Sequence, residues 1–589
     1  MQNAVAFANN DVITIAWSYG KKPEGCMGFA IYRIDDKGKE TPLPSHAVFK
    51  GNTIKPGQTT ELFPVQKFYW KDLYARLIAE KTGNRTFRYK IVPLEGTPGH
   101  LTQMKNLPAI ISNEVTISAE ISDGVFAYFN RGLISTQRVA RALKNKLNKD
   151  SLLARVADQK DPLRASLSGD MVEALTGFVD RAAKAGKVYA ALYELGDEEL
   201  IQKLKDLGHK LEIVLSNSVV VDAKTKKTSD ANQPARDLLG GTANQEWNRI
   251  MPPNHIGHNK FLVYVDGNGD AQAVLFGSTN WTPTGLCTQT NNTMVVEDPK
   301  LAARYLDYWN KLAADTKTAN GIAKNLQASP LRTWDSTGKD FTLPSATVES
   351  WFSPNTPKAR GKSSASEKRP PDMAAVVDRI NGAKHAILFL AFYPGSPSIA
   401  NWIADALKKN QDLFVRGCVT NKSASEGFYY ELKGMTPPKK QKGVKTPIQQ
   451  DPRVIGAEAF DGKLIPQGWI KEILAAGFAI IHDKIVVIDP FADNCFVITG
   501  SHNLGHKASY DNDENLAIIE GNKKLAVAYA THVLDVYDHF SWRYTVKRLG
   551  DKGADQSLAS TSDAWLDKYF DANGEIKVAQ LKFWMQAAG

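Results

Sequence analysis

Two sets of residues in this sequence have the types and the spacing that phosphoryl chemistry needs. Each set has a histidine and a lysine two positions apart, followed by a Gly-Ser-x-Asn turn. The eight side chains are, in chain order, His258, Lys260, Ser278, Asn280, His482, Lys484, Ser501 and Asn503. Side chains two positions apart on a strand point to the same side, so each set is predicted to place an imidazole beside an ammonium group. The turns add hydroxyl and amide donors, which suit an oxyanion such as phosphate.

Such a doubled set suits the cleavage of a phosphodiester. A phosphodiester resists attack because its negative charge repels nucleophiles, so a catalyst must neutralise the non-bridging oxygens and protonate the leaving alkoxide. The lysines and asparagines can do the first, and we interpret Ser278 and Ser501 as further substrate-binding groups. An unperturbed histidine has a pKa of about 6.5, so one of His258 and His482 can be a neutral nucleophile while the other is a protonated general acid. We expect both imidazoles to reach one phosphorus atom.

The elements that must position these residues repeat in the same order in two stretches of the chain. In the first, the pattern predicts a helix, a buried strand, a helix, a strand and a long polar segment at 170–185, 188–193, 198–207, 211–217 and 222–254. In the second, the same kinds of element are predicted from 372 onward and at 385–392, 398–408, 413–421 and 422–468. Each polar segment leads into one histidine–lysine pair on a predicted strand. The matching order indicates an internal duplication of an α/β half.

The pattern divides the chain into four parts. Residues 1–118 alternate short apolar runs with turns, which is typical of a small β-sandwich and resembles a fibronectin type III or immunoglobulin-like module. The two α/β halves are predicted at 119–345 and 346–549, and they are expected to pack about a pseudo-twofold axis. Residues 550–589 are predicted to form a packed helical extension. Trp17 is expected in the core of the N-terminal module.

Composition and charge narrow the class of protein. The net charge of +10 and the pI near 9.0 suit an anionic partner, and a solvated basic surface is the alternative. The cysteines lack disulfide or metal spacing and are interpreted as buried free thiols; they are Cys26, Cys287, Cys418 and Cys495. The sequence shows no signal peptide and no run of about 18 apolar residues, so we expect a protein that is cytoplasmic as encoded or exported by a leaderless route.

The two motif copies resemble the signature of the phospholipase D superfamily, His-x-Lys-x4-Asp followed by Gly-Ser-x-Asn. The second copy matches fully and includes Asp489 as its acid. The first copy departs, because Val265 stands where the acid is expected and Asp266 follows one residue later. We predict that Asp266 and Asp489 are structural acids. The resemblance covers about residues 119–545 and implies two α/β/α sandwich domains of the phospholipase D type.

The resemblance also implies a mechanism through a phosphohistidine. By analogy with the family, His258 is the nucleophile and His482 the general acid, and the residues themselves leave the reverse assignment open. In the family an acidic residue after the asparagine turn orients a catalytic histidine. Alignment of the two halves makes Glu514 the candidate orienting residue in the second half, with Asp511 and Asp513 as alternatives. An amide, Asn291, occupies the matching place in the first half.

The leading functional hypothesis is a phospholipase D that hydrolyses glycerophospholipid headgroups and transfers them to other alcohols, at a membrane or micelle surface. Aromatic and basic residues in the segment before the second motif could rim the site; they are Phe428, Tyr429, Tyr430, Lys439, Lys440, Lys442 and Lys445. The alternative is a nuclease that uses the same site on nucleic acid, which the basic pI would suit. Because both half-sites lie in one chain, a monomer is expected. No cofactor and no metal ion are predicted, since no acidic or thiol ligands have metal spacing.

Overall fold

The computed structural model describes most of the chain. Its described residues are 3–45, 47–53, 55–132, 149–221, 227–318, 330–361, 368–420, 422–438, 448–457, 480–549 and 557–587. Five predictions fall partly or wholly outside these ranges. They concern part of the linker at 354–371, the lysines at 439–445, and parts of the segments at 222–254, 422–468 and 550–589.

The N-terminal module consists of two antiparallel sheets with one core. The first sheet has β1 (Asn3–Ala8), β2 (Ile13–Ser18) and β5 (Tyr69–Asp72). The second has β3 (Gly28–Ile34), β4 (Glu40–Pro42), β6 (Thr86–Thr97), β7 (His100–Gln103), β8 (Ile110–Ile111) and β9 (Val115–Thr116), and helix α1 (Ala75–Thr82) connects β5 to β6. Trp17 and Tyr89 are buried in this core with Phe29, whose ring lies 5.2 Å from that of Trp17. Trp17 is therefore a core residue, as predicted.

The last part of the chain packs back onto this module. Helices α15 (Ser562–Leu566) and α16 (Ala579–Ala587) lie here. The Trp565 indole donates a hydrogen bond to the carbonyl of Cys26 at 2.9 Å, and its ring packs against Phe68. The end of the chain thus completes the core of its beginning.

Each α/β half contains an eight-stranded sheet. The strands of the first sheet are β10 (Glu120–Ser122), β11 (Val125–Phe129), β12 (Gly186–Leu192), β13 (Leu211–Ser216), β16 (Gln245–Arg249), β17 (Lys260–Asp266), β18 (Ala271–Gly277) and β20 (Asn292–Val296). Those of the second are β21 (Lys339–Leu343), β22 (Ala346–Ser353), β23 (Ala386–Ala391), β24 (Phe414–Val419), β25 (Val454–Gly456), β27 (Lys484–Ile488), β28 (Phe496–Gly500) and β29 (Glu514–Glu520). Two short two-stranded ladders complete the strands, β14 (Val219–Val221) with β15 (Thr228–Asp230) and β19 (Gln289–Thr290) with β26 (Ile480–Ile481).

The two large sheets have equivalent topologies. The spatial order is β10-β11-β20-β18-β17-β12-β13-β16 in the first and β21-β22-β29-β28-β27-β23-β24-β25 in the second. Each strand therefore has a counterpart at the same place along the chain and in the sheet, which confirms the predicted duplication. The border predicted at 345/346 falls inside the β21–β22 hairpin, so β21 belongs to the second sheet.

Helices cover both faces of each sheet. The first half has α2 (Lys149–Ala157), α3 (Pro162–Ser168), α4 (Met171–Ala185), α5 (Glu198–Asp206), α6 (Gln233–Leu239), α7 (Pro283–Cys287), α8 (Pro299–Thr318) and α9 (Pro330–Asp335), with a 3₁₀ turn at Gly208–Lys210. The second half has α10 (Pro371–Asn381), α11 (Ile399–Lys409), α12 (Lys422–Lys433), α13 (His506–Asp511) and α14 (Lys523–Leu549).

Strand alternation divides each sheet between a shared core and an outer core. In β17, Phe261 and Val263 face the core that both halves share, whereas Leu262 faces the outer core of the first half. In β27, Val487 faces the shared core and Val486 faces the outer core of the second half. This follows from the period of two along a strand, because both faces of a mostly buried sheet must be apolar. The predicted α/β fold is confirmed.

Three local predictions were wrong. His258 and His482 lie just before their strands, which begin at Lys260 and Lys484, so the pairs are not on regular strands. The segment at 422–468, predicted to be irregular, contains α12 and β25, and the polar segment at 222–254 contains β15, α6 and β16. Phe428 and Tyr430 are buried on α12 and are not available to rim a site.

Candidate active site

The two histidine–lysine pairs meet at the edge of the sheets where β12 and β23 end. Lys260 pairs with Leu192, the last residue of β12, and Lys484 pairs with Ala391, the last residue of β23. The structure therefore places both pairs at equivalent positions of the two sheets. The polypeptide that precedes each pair leaves the sheet and crosses to the other half.

Backbone hydrogen bonds between the halves fix both histidines. The His258 amide donates to the carbonyl of Asp513 at 2.8 Å, and the His482 amide donates to the carbonyl of Thr290 at 3.0 Å. The two imidazole rings face each other with 6.2 Å between their centroids and an angle of 67° between their planes. Both sets of residues thus form one site, as the duplication predicted.

Each lysine is held in the same way in its half. Lys260 Nζ donates to the carbonyl of His258 at 2.6 Å, and Lys484 Nζ donates to the carbonyl of His482 at 2.5 Å. An aromatic ring lies beside each ammonium group, Tyr193 at 5.0 Å from Lys260 and Phe392 at 5.1 Å from Lys484. Burial lowers the pKa of Lys260 to about 7, against the effect of nearby carboxylates. Burial and the charge of Lys260 hold the pKa of Lys484 well below its usual range.

The residues that orient the histidines come from the opposite half. Glu514 Oε2 lies 2.8 Å from His258 Nδ1, and Asn291 Oδ1 lies 2.8 Å from His482 Nδ1. Since Asn291 donates its amide N–H to the carbonyl of Gly285, its oxygen must face His482. Both imidazoles therefore carry a proton on Nδ1 and direct an unprotonated Nε2 away from these partners when neutral.

A carboxylate behind one imidazole and an amide behind the other make the two histidines different. Burial lowers the pKa of His258 to about 4, although Glu514 acts in the opposite direction. Burial, reinforced by Lys484 and Lys260, holds the pKa of His482 well below its usual range. For Glu514, burial alone would raise the pKa, but His258 lowers it to about 2. Both histidines are therefore neutral at neutral pH, and Glu514 is ionised.

The serines of the two Gly-Ser-x-Asn turns do not have the contacts expected of substrate-binding groups. The hydroxyl of Ser278 donates to Asn291 Oδ1 at 2.9 Å and accepts from the Asn292 amide at 3.1 Å. The hydroxyl of Ser501 accepts from the Asn515 amide at 3.0 Å. Both hydroxyls are fully buried and bonded to residues at 291–292 and 515, which favours a structural role over the substrate-binding role that the sequence suggested.

The asparagines of the turns lie at the site, and one of them has a partner that the sequence did not reveal. Asn280 donates its amide N–H to Glu194 Oε2 at 2.5 Å, and Glu194 follows the end of β12 by two residues. Asn503 is half-buried at the equivalent position of the second half. Glu194 is a single glutamate after a predicted strand and belongs to no motif. Only a comparison of the two halves could have indicated it, because the equivalent residue of the second half is the uncharged Tyr393.

The other acidic residues of the motifs and their surroundings form contacts with groups other than the imidazoles of His258 and His482. Asp511 accepts from the Arg360 amide, and Asp513 pairs with Arg249. Asp266 accepts from the amides of its own hairpin turn. Asp489 accepts from three successive amides, at 384–386, with distances of 2.7–2.8 Å. These contacts suit the structural role proposed for Asp266 and Asp489.

Two further features bear on the kind of site. Among the described residues, no group of three or more histidine, cysteine, aspartate or glutamate side chains is arranged to hold a metal ion. Within the same part of the chain, no helix has the length and apolar character needed to cross a bilayer. All four cysteines are free and buried, as predicted.

The depressed histidine pKa values predict a loss of stability in acid. Between pH 6.5 and 4 the unfolded chain binds protons at His258 and His482 that the folded site does not bind, so the free energy of unfolding falls as the pH falls. For His258 the loss is roughly 3 kcal/mol. We expect urea unfolding at pH 7 and pH 4.5 to show a smaller loss for His258→Asn than for the unchanged protein. The exposed His209→Ala is the control, and an identical loss in all three proteins would contradict the argument.

Comparisons with known proteins agree with this geometry. A family model described as "Cardiolipin synthase, PLD-like domain" matches residues 180–313 and 376–535, which include both histidine–lysine pairs. No curated protein matches the chain.

Several solved structures are similar to parts of the chain. Phosphatidylserine synthase from Haemophilus influenzae is 12% identical, with 65% of this chain and 89% of that chain covered and a TM-score of 0.40. The phospholipase D family member Nuc from Salmonella typhimurium is 18% identical, with 33% and 95% covered and a TM-score of 0.21. Yeast tyrosyl-DNA phosphodiesterase is 10% identical, with 58% and 84% covered and a TM-score of 0.30.

The family match spans both halves, and the two motif copies lie within it and converge on one site. The chain belongs to the phospholipase D superfamily of enzymes that act on phosphodiesters.

Proposed function

We propose that this protein is a phospholipase D that cleaves glycerophospholipid headgroup esters through a phosphohistidine on His258. The observation that carries the proposal is the pair of imidazoles facing each other at 6.2 Å between ring centroids, with a buried lysine beside each. A phosphorus atom between two such rings can be attacked from one side while the leaving oxygen departs toward the other. The lysines can neutralise the non-bridging oxygens of the phosphate.

The different partners of the two histidines support a division of roles. A carboxylate behind an imidazole stabilises the positive charge that develops on the ring when Nε2 attacks phosphorus, so Glu514 makes His258 the better nucleophile. A neutral amide gives no such stabilisation, so an imidazolium at His482 gives up its proton more readily. The negative charge of a bound phosphodiester favours protonation of His482 and so makes it available as the general acid.

The proposed reaction has two steps. In the first, His258 Nε2 forms a bond to phosphorus while the bond from phosphorus to the headgroup oxygen breaks, and that oxygen takes the proton from His482 Nε2. In the second, His482 removes a proton from water or another alcohol, whose oxygen attacks phosphorus and displaces His258. Hydrolysis gives a phosphomonoester, and attack by an alcohol gives a new diester.

Two exposed apolar side chains support a lipid substrate. Val219 follows the end of β13 and Tyr393 follows the end of β23, so both lie at the edge of the sheets that carries the site. The reacting side chains are nearly fully buried, and exposed apolar side chains at the edge that carries them suit contact with a lipid. A nuclease is the second candidate, and the net charge of +10 is the observation that favours it.

The test compares three substrates with one enzyme preparation. Bis(4-nitrophenyl) phosphate measures the phosphodiesterase site itself, phosphatidylcholine vesicles measure choline release, and single- and double-stranded DNA measure nuclease activity. We expect cleavage of the first and of the vesicles, with a new diester formed when ethanol is added. Cleavage of DNA without choline release would replace the lipid proposal by the nuclease.

A chelator is expected to leave the activity on bis(4-nitrophenyl) phosphate unchanged. The reason is that Lys260 and Lys484 lie where a metal ion would otherwise supply positive charge. The measurement is the initial rate before and after dialysis against EDTA, with no lipid present so that an ion cannot act on a lipid surface. Loss of activity that one divalent ion restores would contradict this prediction.

A further inference from the structure

One carboxylate breaks the pseudo-twofold symmetry of the site. Tyr193 and Phe392 are equivalent, because each follows the end of its strand by one residue and lies about 5 Å from the lysine of its half. The next residues differ in charge. Glu194 is half-buried in the site of the first half, whereas Tyr393 in the second half is 51% exposed.

The contacts of Glu194 place its charge close to the phosphate position. Asn280 donates one amide N–H to Glu194 Oε2 at 2.5 Å, which leaves its second N–H for a phosphate oxygen. The backbone beside Glu194 is fixed, since its carbonyl accepts from the amide of Trp281 at 3.0 Å. A phosphate oxygen bound by Asn280 would therefore lie about 5 Å from the Glu194 carboxylate, for two hydrogen bonds of ordinary length at one amide nitrogen.

The site holds two carboxylates, Glu514 and Glu194, beside two lysines whose pKa values are lowered by burial. Burial raises the pKa of Glu194, and both lysines oppose that effect. A singly charged phosphate group adds one negative charge close to Glu194, and a doubly charged group adds two at the same short distance.

We propose that Glu194 is a specificity-determining residue that lets the site bind singly charged phosphodiesters and disfavours doubly charged phosphomonoesters. The inference rests on the proposed phosphodiesterase function, since a phosphomonoester is the product of diester hydrolysis. Coulomb repulsion is proportional to the charge of the ligand, so Glu194 raises the free energy of the bound product about twice as much as that of the bound substrate. Glu194 thereby favours release of the product.

The test is the variant Glu194→Gln, which removes the charge and keeps an acceptor for Asn280. Inorganic phosphate and dimethyl phosphate are compared as inhibitors of bis(4-nitrophenyl) phosphate hydrolysis at pH 8, where the first is mainly a dianion and the second a monoanion. We expect the inhibition constant of phosphate to fall about tenfold and that of dimethyl phosphate about threefold, because the two shifts in free energy differ by a factor of two. The matched control Glu198→Gln removes an exposed carboxylate four residues away and is expected to change neither constant.

Two outcomes would overturn the proposal. Equal changes for both inhibitors, or no change for either, would show that the Glu194 charge does not discriminate between them. If Glu194→Ala then weakened both ligands equally while Glu194→Gln behaved like the unchanged protein, Glu194 would only hold Asn280 in place. The thermal stabilisation that each ligand gives measures binding without turnover. The Glu194 proposal can therefore be tested even if the protein does not hydrolyse the phosphodiester.

Discussion

Replacing His258 by alanine is expected to lower phosphodiester turnover at least about a hundredfold, and no leaving group is expected to restore it. The side chain lies between Glu514 and the opposite imidazole, with its Nε2 free for attack. Without that nitrogen the covalent step has no nucleophile, however readily the leaving group departs. The measurement is the rate with bis(4-nitrophenyl) phosphate and with an alkyl diester, together with trapping of a phosphoenzyme.

His482→Ala is expected to cause a similar loss on the alkyl diester and a much smaller loss on the nitrophenyl substrate. A nitrophenolate needs little protonation, so the phosphoenzyme can still form and accumulate when the general acid is missing. The exposed His209→Ala is the control for both variants and should retain full activity. Trapping a phosphohistidine at 482 instead of 258 would reverse the assignment, and equal rescue of both variants would show that the two histidines do not divide the roles.

Arg249→Met is expected to lower the free energy of unfolding by roughly 3–5 kcal/mol, because it leaves a buried carboxylate without its partner. Arg249, at the end of β16, donates to Asp513 at 2.5 and 3.1 Å and to Asp315 at 2.8 Å. Arg249 and Asp513 are both about 1% exposed. Since the Asp513 carbonyl accepts from the His258 amide, phosphodiesterase activity should fall together with stability.

Urea unfolding at pH 7 measures this effect, and two further variants test its cause. Arg181→Met removes one partner of the half-exposed pair with Glu297 and is expected to cost less than about 1 kcal/mol. Arg249→Met combined with Asp513→Leu removes both buried charges and should recover part of the lost stability. If the double variant were less stable than Arg249→Met alone, the unpaired carboxylate would not be the cause.

The sequence predicted the duplicated fold and the two motif sets because each rests on local signals. Strand and helix periods, turn residues and two copies of one short motif are all readable along the chain. The contacts between halves are not local, so the partner of each histidine could not be assigned. Glu514 was identified as an orienting residue, but its contact with His258 of the other half depends on how two sheets pack.

The errors have a similar cause. The apolar runs that follow Lys260 and Lys484 have the strand pattern and suggested that each strand includes its histidine, yet the backbone at the histidines crosses to the other half and begins regular pairing only at the lysines. Phe428 and Tyr430 were considered for a rim because they occur with basic residues in the segment before the second motif, whereas the structure buries them on α12. Glu194 carried no signal apart from its place after a strand.

The exchange of orienting residues between the halves also bears on how the protein is made. Glu514 lies 256 residues after His258, so a ribosome has synthesised the whole first half, His258 included, long before the carboxylate that contacts this imidazole exists. The partner of His482 precedes it in the chain, so Asn291 has already been synthesised when His482 is added. Premature termination anywhere between the two halves therefore leaves a chain that has His258 but lacks Glu514, and under the proposed function we expect phosphodiester cleavage only from chains whose translation has passed β29.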